Sequence, residues 1–540
     1  MMKTANPQAH VARGATFIFI QGILSSAFGV IYVWFLLHTK EMSGQTLFTE
    51  IDYGNFAVLS FILTLVSTLG VLALRRASVR HIAQYIAEGK KELASSVVTR
   101  VLQVSFVTSA AIVVVFFISA GVLTETFRDP VLTLWLLPMA SIFSVLYSQA
   151  QGFLQGLQKM RELASIAIVY SIIHYSSAIV LVYSGFGLFG IALSWLVGTA
   201  VSCFLSFLIT YRSLGFTRRV HKLKPLIAFS LPIYISVVLT FIVGWVDQMI
   251  ILPIKGTGEF GVYNLAVRAA SVSNLVSVAT VTSLFPKLSE LQSLHGDKSL
   301  EAAFKVSTRY AALLGFPVSL MVATLAYPII VLFATVRYLD AVGPLAIMCI
   351  ASIPTILGLA IFPTLYTLKR TKTGSSIVVI TIICQALFSY FSLQFLDAGL
   401  TGVAISRILA ALIQFTLGIF MLRSSLKVEF DKEAIWKSAI AAIVMVLSIL
   451  GLELLRSVIE PIAFEFLVLR LRLLPIYVSV GVIVYVVSLI IMKTFKRHDF
   501  DLLHEYLPSR FRSFAVLFSH IARIKELPAD KEGSYDEQRS

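Results

Sequence analysis

The sequence predicts an all-α, polytopic membrane protein of about fourteen transmembrane helices, arranged as two pseudo-symmetric six-helix bundles plus two extra C-terminal helices. Three observations predict it. Of 540 residues, 57% are hydrophobic and only 14% charged, with a mean hydropathy of +0.87. That is more apolar surface than a water-soluble domain of this length can bury. The apolar residues also fall into stretches of about 20, the length that crosses a hydrocarbon core about 30 Å thick. Finally, a small-residue octet is written twice: "GLFGIALS" at 187–194 and "GLTGVAIS" at 399–406, 212 residues apart.

The stretches, numbered here as spans one to fourteen, run 14–37, 54–74, 97–123, 131–155, 163–184, 187–210, 226–252, 260–285, 310–334, 342–367, 374–396, 399–422, 435–458 and 473–492. The first follows a basic, proline-containing head but is too long for a signal-peptide core, and no A-x-A-like site ends it, so it is expected to stay as a helix. Prolines 232, 317, 328, 354 and 363 fall within spans seven, nine and ten, where kinks are expected.

Lysine and arginine set the orientation. With the N-terminus inside, and with the span-end residues Arg100, Lys437 and Arg456 counted with their adjoining loops, the inner segments carry 35 of them and the outer loops 7, while Arg268 and Arg407 lie deep within spans, which accounts for all 44. Such an asymmetry places both termini in the cytoplasm of a multi-pass plasma-membrane protein. It also explains the net charge of +15 without nucleic acid. Cys203, Cys349 and Cys384 all sit in apolar spans and imply neither a disulfide framework nor a metal site.

The octet begins span six and again span twelve, and two more landmarks recur at nearly the same offset. "DYGNF" (52–56) leads into span two and "EFGVY" (259–263) into span eight, 207 residues on. "LQGLQKMR" (154–161) closes span four and "LYTLKRTK" (365–372) span ten, 211 residues on. Three landmarks in one order argue for a duplicated six-helix unit. Because six is even, the halves enter the membrane in the same direction and are related by an axis along its normal. Two parallel bundles with a cleft between them form the architecture of alternating access. The expected organisation is a head (1–13), an N-terminal bundle (14–210), a basic linker (211–225), a C-terminal bundle (226–422), the added pair (423–495) and a cytoplasmic tail (496–540). The octets' Gly187, Gly190, Ala192 and Ser194, and Gly399, Gly402, Ala404 and Ser406, are read as helix-packing residues.

The order of these stretches resembles a known family. "DYGNFAVLSFILTLVSTLGVLALRR", "FLQGLQKMRELAS", "FSLPIYISVVLTFIVGWVDQMIILPIKGTGEFGVYNLAVRAASVSNLVSVATVTSLFPKLSEL", "RYAALLGFPVSLMVATLAYPIIVLF" and "GLTGVAIS" are similar to the polysaccharide-repeat-unit (Wzx-like) flippases of the multidrug/oligosaccharidyl-lipid/polysaccharide (MOP) exporter superfamily. The likeness covers residues 14 to about 425, and the last two spans only in number. It implies a transporter that moves a lipid-linked oligosaccharide, with its sugars on a polyprenyl phosphate or pyrophosphate, from the inner to the outer leaflet.

Charges inside spans are expensive and mark functional candidates. Arg268 and Arg407 both lie roughly 12–14 Å below the outer edge at 1.5 Å per residue, and Asp247 of span seven is near enough to pair with Arg268. Two readings stand beside each other. In one, Asp247 neutralises Arg268 and pins two helices. In the other, both guanidinium groups line the cleft and bind carrier phosphates, for which arginine's bidentate fork is suited. A third gives Asp247 to a coupling ion, H+ or Na+. The repeat offsets place Phe61 at the position of Arg268 and Trp195 at that of Arg407, so one half offers cations and the other aromatic faces for sugar rings; ordinary core or lipid-facing aromatics are the plainer reading. Arg13 at the inner mouth of span one and Gln21 further in complete the substrate-binding candidates, with His174, Gln149, Gln151, Gln155 and Glu453 weaker.

Residues 509–527 place Phe511, Phe514, Phe518 and Ile521 on one helical face among basic residues, as suits a helix lying on the anionic inner leaflet or, in the alternative reading, docked on the protein's own loops. No P-loop, metal-ligand cluster or nucleophile constellation is present, and the D-x-D at 499–501 lies in the inner tail, so neither an enzyme nor a cofactor is expected. The expected partners are the lipid-linked oligosaccharide and membrane lipids, with a monomer as one option and the oligomeric state left open. The alternative function is a cation-coupled multidrug exporter of the same superfamily. Such a carrier favours an acidic N-terminal cavity, yet span one holds no carboxylate.

Overall fold

A computed structural model describes residues 7–39, 48–215, 217, 219–273, 297–368, 370–459 and 466–495. Their regular structure is helical throughout. Among them, twelve helices are long and apolar enough to cross a membrane. Two of the twelve are double. The stretch 160–214 carries spans five and six, and 223–270 carries spans seven and eight, each interrupted by a glycine of positive φ, Gly185 (φ 87°) and Gly256 (φ 84°). The chain reverses at both. His174 meets Ser194 at 3.1 Å and Asn264 meets Gln248 at 2.6 Å, whereas the twenty and sixteen residues between them would span about 30 and about 24 Å of straight helix. Span eight is described to Ser273, and the amphipathic segment 509–527 lies outside the described residues.

Pro232, Pro317 and Pro354 lie inside helices. Pro328 and Pro363 sit in the first turns of two restarted helices, Ala326–Ala334 and Ile361–Thr367, where a missing N–H costs nothing. The C-terminal end of span two breaks differently, at Leu72 and Ala73, both in the left-handed region (φ 49° and 53°). Gln149 of span four donates to the carbonyl of Val71 at 3.1 Å, which satisfies a group the break frees. A short helix, Leu74–Ala87, follows and buries Leu74, Ala77 and Ile82 while Arg76 and Arg80 stay exposed.

The two octets do the same work. Each opens on a glycine of positive φ, Gly187 (48°) and Gly399 (57°), a turn that a side chain would strain. Each places its second glycine where a Cβ would collide: at Gly190 with Leu181, and at Gly402 with Ala398 and Ser392. Each ends on a buried serine that reaches the preceding span, Ser194 to His174 and Ser406 to Ser389 at 2.7 Å. His174 is thus a helix contact, as a lone intramembrane histidine usually is.

The leading motifs meet directly. Gly54 of "DYGNF" and Gly261 of "EFGVY", equivalent positions of the two repeats, pack backbone to backbone. A Cβ on Gly261 would stand 2.7 Å from the Gly54 Cα, and one on Gly54 would strike the Thr257 carbonyl. Nearby, Thr49 and Asp52 form a capping box at the start of span two, and Tyr53 sets its ring edge-on to Tyr338 at 5.8 Å.

By contacts the chain divides into two compact units. The first comprises 1–269, 329–345 and 372–414; the second comprises 270–328, 346–371 and 415–540. The second is held by a buried ion pair, Arg309 to Asp431 at 3.0 Å, with side chains 5% and 8% exposed. Arg309 also donates to the carbonyl of Thr494, and Asp431 accepts from the amide of Ala434 as a helix cap. Tyr485 extends the seam, hydrogen-bonded to Ser438 and to the Leu313 carbonyl.

Candidate functional site

Three of the intramembrane charges, Asp247, Arg268 and Arg407, gather in the first unit. Span seven presents Gly244, Asp247 and Gln248 on one face at helical spacing, and the reversal at Gly256 returns Tyr263, Asn264 and Arg268 of span eight alongside them. Span twelve adds Arg407. Asp247 is wholly buried and receives three donors from side chains. Tyr263 Oη donates at 2.6 Å. Arg407 donates through Nε to Oδ2 and through a terminal nitrogen to Oδ1, the latter at 3.1 Å, which makes the pair bidentate. The Arg407 side chain keeps 22% of its surface, and it also donates to the Gly244 carbonyl at 3.3 Å.

This corrects one sequence expectation. The carboxylate of Asp247 pairs with Arg407, not with Arg268, because span twelve brings its guanidinium to the face of span seven that carries Asp247. Arg268 is bound elsewhere. Its Nε donates to Asn264 Oδ1 at 2.7 Å, and Asn264 donates in turn to Gln248 Oε1 at 2.6 Å. Gln248 closes the chain, donating its backbone N–H to Asp247 Oδ1 at 2.9 Å and its side-chain nitrogen to the Gly244 carbonyl at 3.3 Å. The two arginines are therefore ends of one hydrogen-bonded network. At one end Arg407 is paired with the buried Asp247; at the other, Arg268 is an exposed residue.

The Arg268 guanidinium stands 5.5 Å above the ring of Phe56, within cation–π range. Phe56, not the repeat-equivalent Phe61, is its aromatic partner. Phe61 lies five residues further along span two and packs with Phe241 and Trp245 of span seven at 5.9 and 5.0 Å. Trp195 leans on His174 at 5.2 Å. Gln21 donates to Ser25, which meets Ser171 of span five. Arg13 lies on the first helix, but its side chain is outside the described residues.

Sequence reasoning singled out the charges and missed their neutral partners, Gln248, Asn264, Tyr263 and Phe56. A signal for two of them was present. Asn264 and Arg268 are a polar i,i+4 pair in an apolar span, and Gln248 adjoins Asp247. Among the described residues, no cluster of three or more His, Cys, Asp or Glu could hold a metal ion.

Residues 46–343, more than half of the chain, match the family described as "Polysaccharide biosynthesis protein". The chain belongs to that family. It is 21% identical over 449 residues to the probable low-salt glycan biosynthesis flippase Agl15 of Haloferax volcanii, across 83% of this chain and 91% of that one. Its fold is similar to that of the lipid II flippase MurJ in an inward closed conformation, with a TM-score of 0.66 and 17% identity, covering 88% of this chain and 98% of MurJ. It is also similar to an inward-facing multidrug resistance MATE transporter of the MOP superfamily (TM-score 0.59, 16% identity, 74% and 95% covered). A third is a MOP transporter from Pyrococcus furiosus described as having a binding pocket of reverse polarity (0.53, 17%, 78% and 97%). The protein is thus a multi-pass membrane protein with the MOP transporter fold.

Proposed function

We propose that the protein is a flippase that carries a lipid-linked oligosaccharide from the cytoplasmic to the outer leaflet of the plasma membrane by alternating access, for assembly of a cell-surface glycan. The observation that carries this reading is the exposed Arg268, fixed by Asn264 at the end of a buried polar network. A guanidinium held inside a membrane span is retained at a cost, and it is the side chain best suited to grip phosphate. Its family is one of polysaccharide biosynthesis, and a relative across most of its length is named a probable glycan biosynthesis flippase.

The parts divide the work. Arg268 takes the phosphate of the carrier. Arg407 is held by Asp247 and fixes spans seven, eight and twelve so that Arg268 is presented in one geometry. The Gly54–Gly261 contact lies seven residues above Arg268, about 10 Å along span eight. With both termini cytoplasmic, that contact closes the outer mouth and must part for release. The aromatic surface of Phe61, Phe241 and Trp245 offers rings to the sugars.

The test is reconstitution. Purified protein in liposomes is loaded on one leaflet with a fluorescent polyprenyl-phosphate-linked oligosaccharide, and its arrival on the other leaflet is followed by lectin or quencher access, with a cationic dye as the competing cargo. Movement of the sugar lipid and not the dye is expected. Dye transport without sugar-lipid movement would overturn the proposal in favour of a multidrug exporter.

A further inference from the structure

Beside Arg268 lie two phenols with nothing to bond. Tyr32 of span one is 2% exposed and Tyr53 of span two is fully buried, and the hydroxyl of each lacks a hydrogen-bond partner. Buried hydroxyls are ordinarily satisfied, and an orphan calls for an explanation. These two are not scattered. Both lie within electrostatic reach of Arg268, and Tyr32 within reach of Tyr53. Their rings flank Phe56, over which Arg268 stands, at 6.0 and 5.7 Å. The rings themselves are fixed. Tyr32 stacks on Tyr175 at 5.0 Å and Tyr53 packs edge-on against Tyr338, so the hydroxyls are held in place with no partner supplied by the protein.

The chemistry of the three groups narrows what they can share. A guanidinium only donates, and it repels cations; a phenol donates readily to a charged acceptor. The carboxylate of the network, Asp247, is engaged with Arg407, Tyr263 and the Gln248 amide. A ligand that accepts from two O–H groups set beside a guanidinium must present several acceptor oxygens and negative charge.

We infer that the Tyr32 and Tyr53 hydroxyls and the Arg268 guanidinium together form a phosphoryl-binding subsite, in which the two phenols donate to oxygens of the phosphate that Arg268 neutralises. This rests on the flippase reading for its cargo and adds two ligands from spans one and two to one from span eight. Binding then joins the first repeat to the second through a single phosphate. The shared chemistry is a phosphoryl oxyanion, whether on a sugar-bearing carrier or on a bare one.

Tyr32→Phe and Tyr53→Phe are clean tests, since each removes an unsatisfied hydroxyl and keeps the ring. In nanodiscs, equilibrium binding is measured for a polyprenyl phosphate carrying a sugar, for the same polyprenyl phosphate without sugar, and for a neutral glycolipid of equal chain length. Each variant is expected to weaken both phosphorylated lipids about tenfold, as loss of a hydrogen bond to a charged group does, with the neutral glycolipid unaffected and the unfolding temperature equal or higher. Parent-like binding of the phosphorylated lipids by both variants would overturn the subsite, leaving hydroxyls that meet only water, and would leave the flippase reading untouched. The opposite failure is separable. If bare and sugar-bearing carriers bind alike, both fall in the variants, and the parent moves no sugar lipid, the subsite stands and the oligosaccharide reading falls.

Discussion

Among the described residues are two buried arginine–aspartate pairs, one in each compact unit, and they are built for different ends. Arg309 and Asp431 are closed off. Both side chains are nearly inaccessible, the arginine also binds the Thr494 carbonyl, and the aspartate caps a helix. Asp247 and Arg407 are not closed off. The carboxylate is fully buried but the guanidinium keeps part of its surface, and the network runs on through Gln248 and Asn264 to an exposed Arg268. Burying a charged pair is weak evidence of stabilisation, because desolvation offsets attraction. What distinguishes the two is exposure: in the first case both side chains are nearly inaccessible, in the second the hydrogen bonds run on to an exposed arginine.

The largest effect expected from breaking this contrast is in the closed pair. Arg309→Met leaves Asp431 charged and buried, and is expected to cost about 3–5 kcal/mol of stability, read as a lower thermal unfolding temperature in detergent, while lipid binding by the folded fraction is unchanged. A drop in sugar-lipid affinity with stability intact would show that the closed pair is functional after all. Gly261→Val comes next. Its added carbons meet the Gly54 backbone, so sugar-lipid flipping should fall severely, and cysteines placed at the outer ends of spans two and eight should cross-link less than in the parent.

Asp247→Asn sharpens the comparison more gently. It removes the countercharge of Arg407 yet keeps a hydrogen-bonding group of the same shape. Stability should fall while affinity for a phosphorylated lipid rises several-fold, the site having become more positive. The matching Asp431→Asn should lower stability and leave affinity alone; a fall in affinity for Asp247→Asn would give the carboxylate a direct part in binding.

The smallest effect concerns His81, on the short helix outside the spans. Burial, with His221 and Arg80 beside it, pushes its pKa below the usual 6.5, and neither ring nitrogen has a partner. Its folded pKa being depressed, the neutral form is the one folding favours. Stability is therefore full above about 6.5 and declines as pH falls through that value. His81→Phe should flatten the acid side of the stability profile by a small margin; an unchanged profile would assign the acid loss to other groups.

Much of this was legible in the sequence because a bilayer imposes simple rules. Span lengths and the doubled octet gave the helices and their pairing, since apolar length and small-residue contact are local properties. Charges inside spans flagged Asp247, Arg268 and Arg407, because nothing else justifies their cost. Partner choice was not legible. Asp247 lies near Arg268 in chain order, but Arg407 reaches it from 160 residues away, and tertiary approach decides which guanidinium arrives. Nor could the offsets show that Phe56, one turn from Phe61, receives Arg268: a repeat fixes positions along an axis, while rotation about that axis comes from packing. The hydroxyls of Tyr32 and Tyr53 were indistinguishable from any other phenols until their missing partners could be seen.

The most direct measurement is the affinity of a polyprenyl-phosphate-linked oligosaccharide for the protein in nanodiscs, compared between the parent, Arg268→Ala and Arg407→Ala, with unfolding temperatures taken on the same samples. Arg268→Ala should bind at least about tenfold more weakly, as befits a lost charged hydrogen bond, at unchanged unfolding temperature, whereas Arg407→Ala should unfold earlier because it strands Asp247. Undiminished binding by Arg268→Ala would contradict the assignment of the phosphate to that residue and reduce the network to a device that holds helices together.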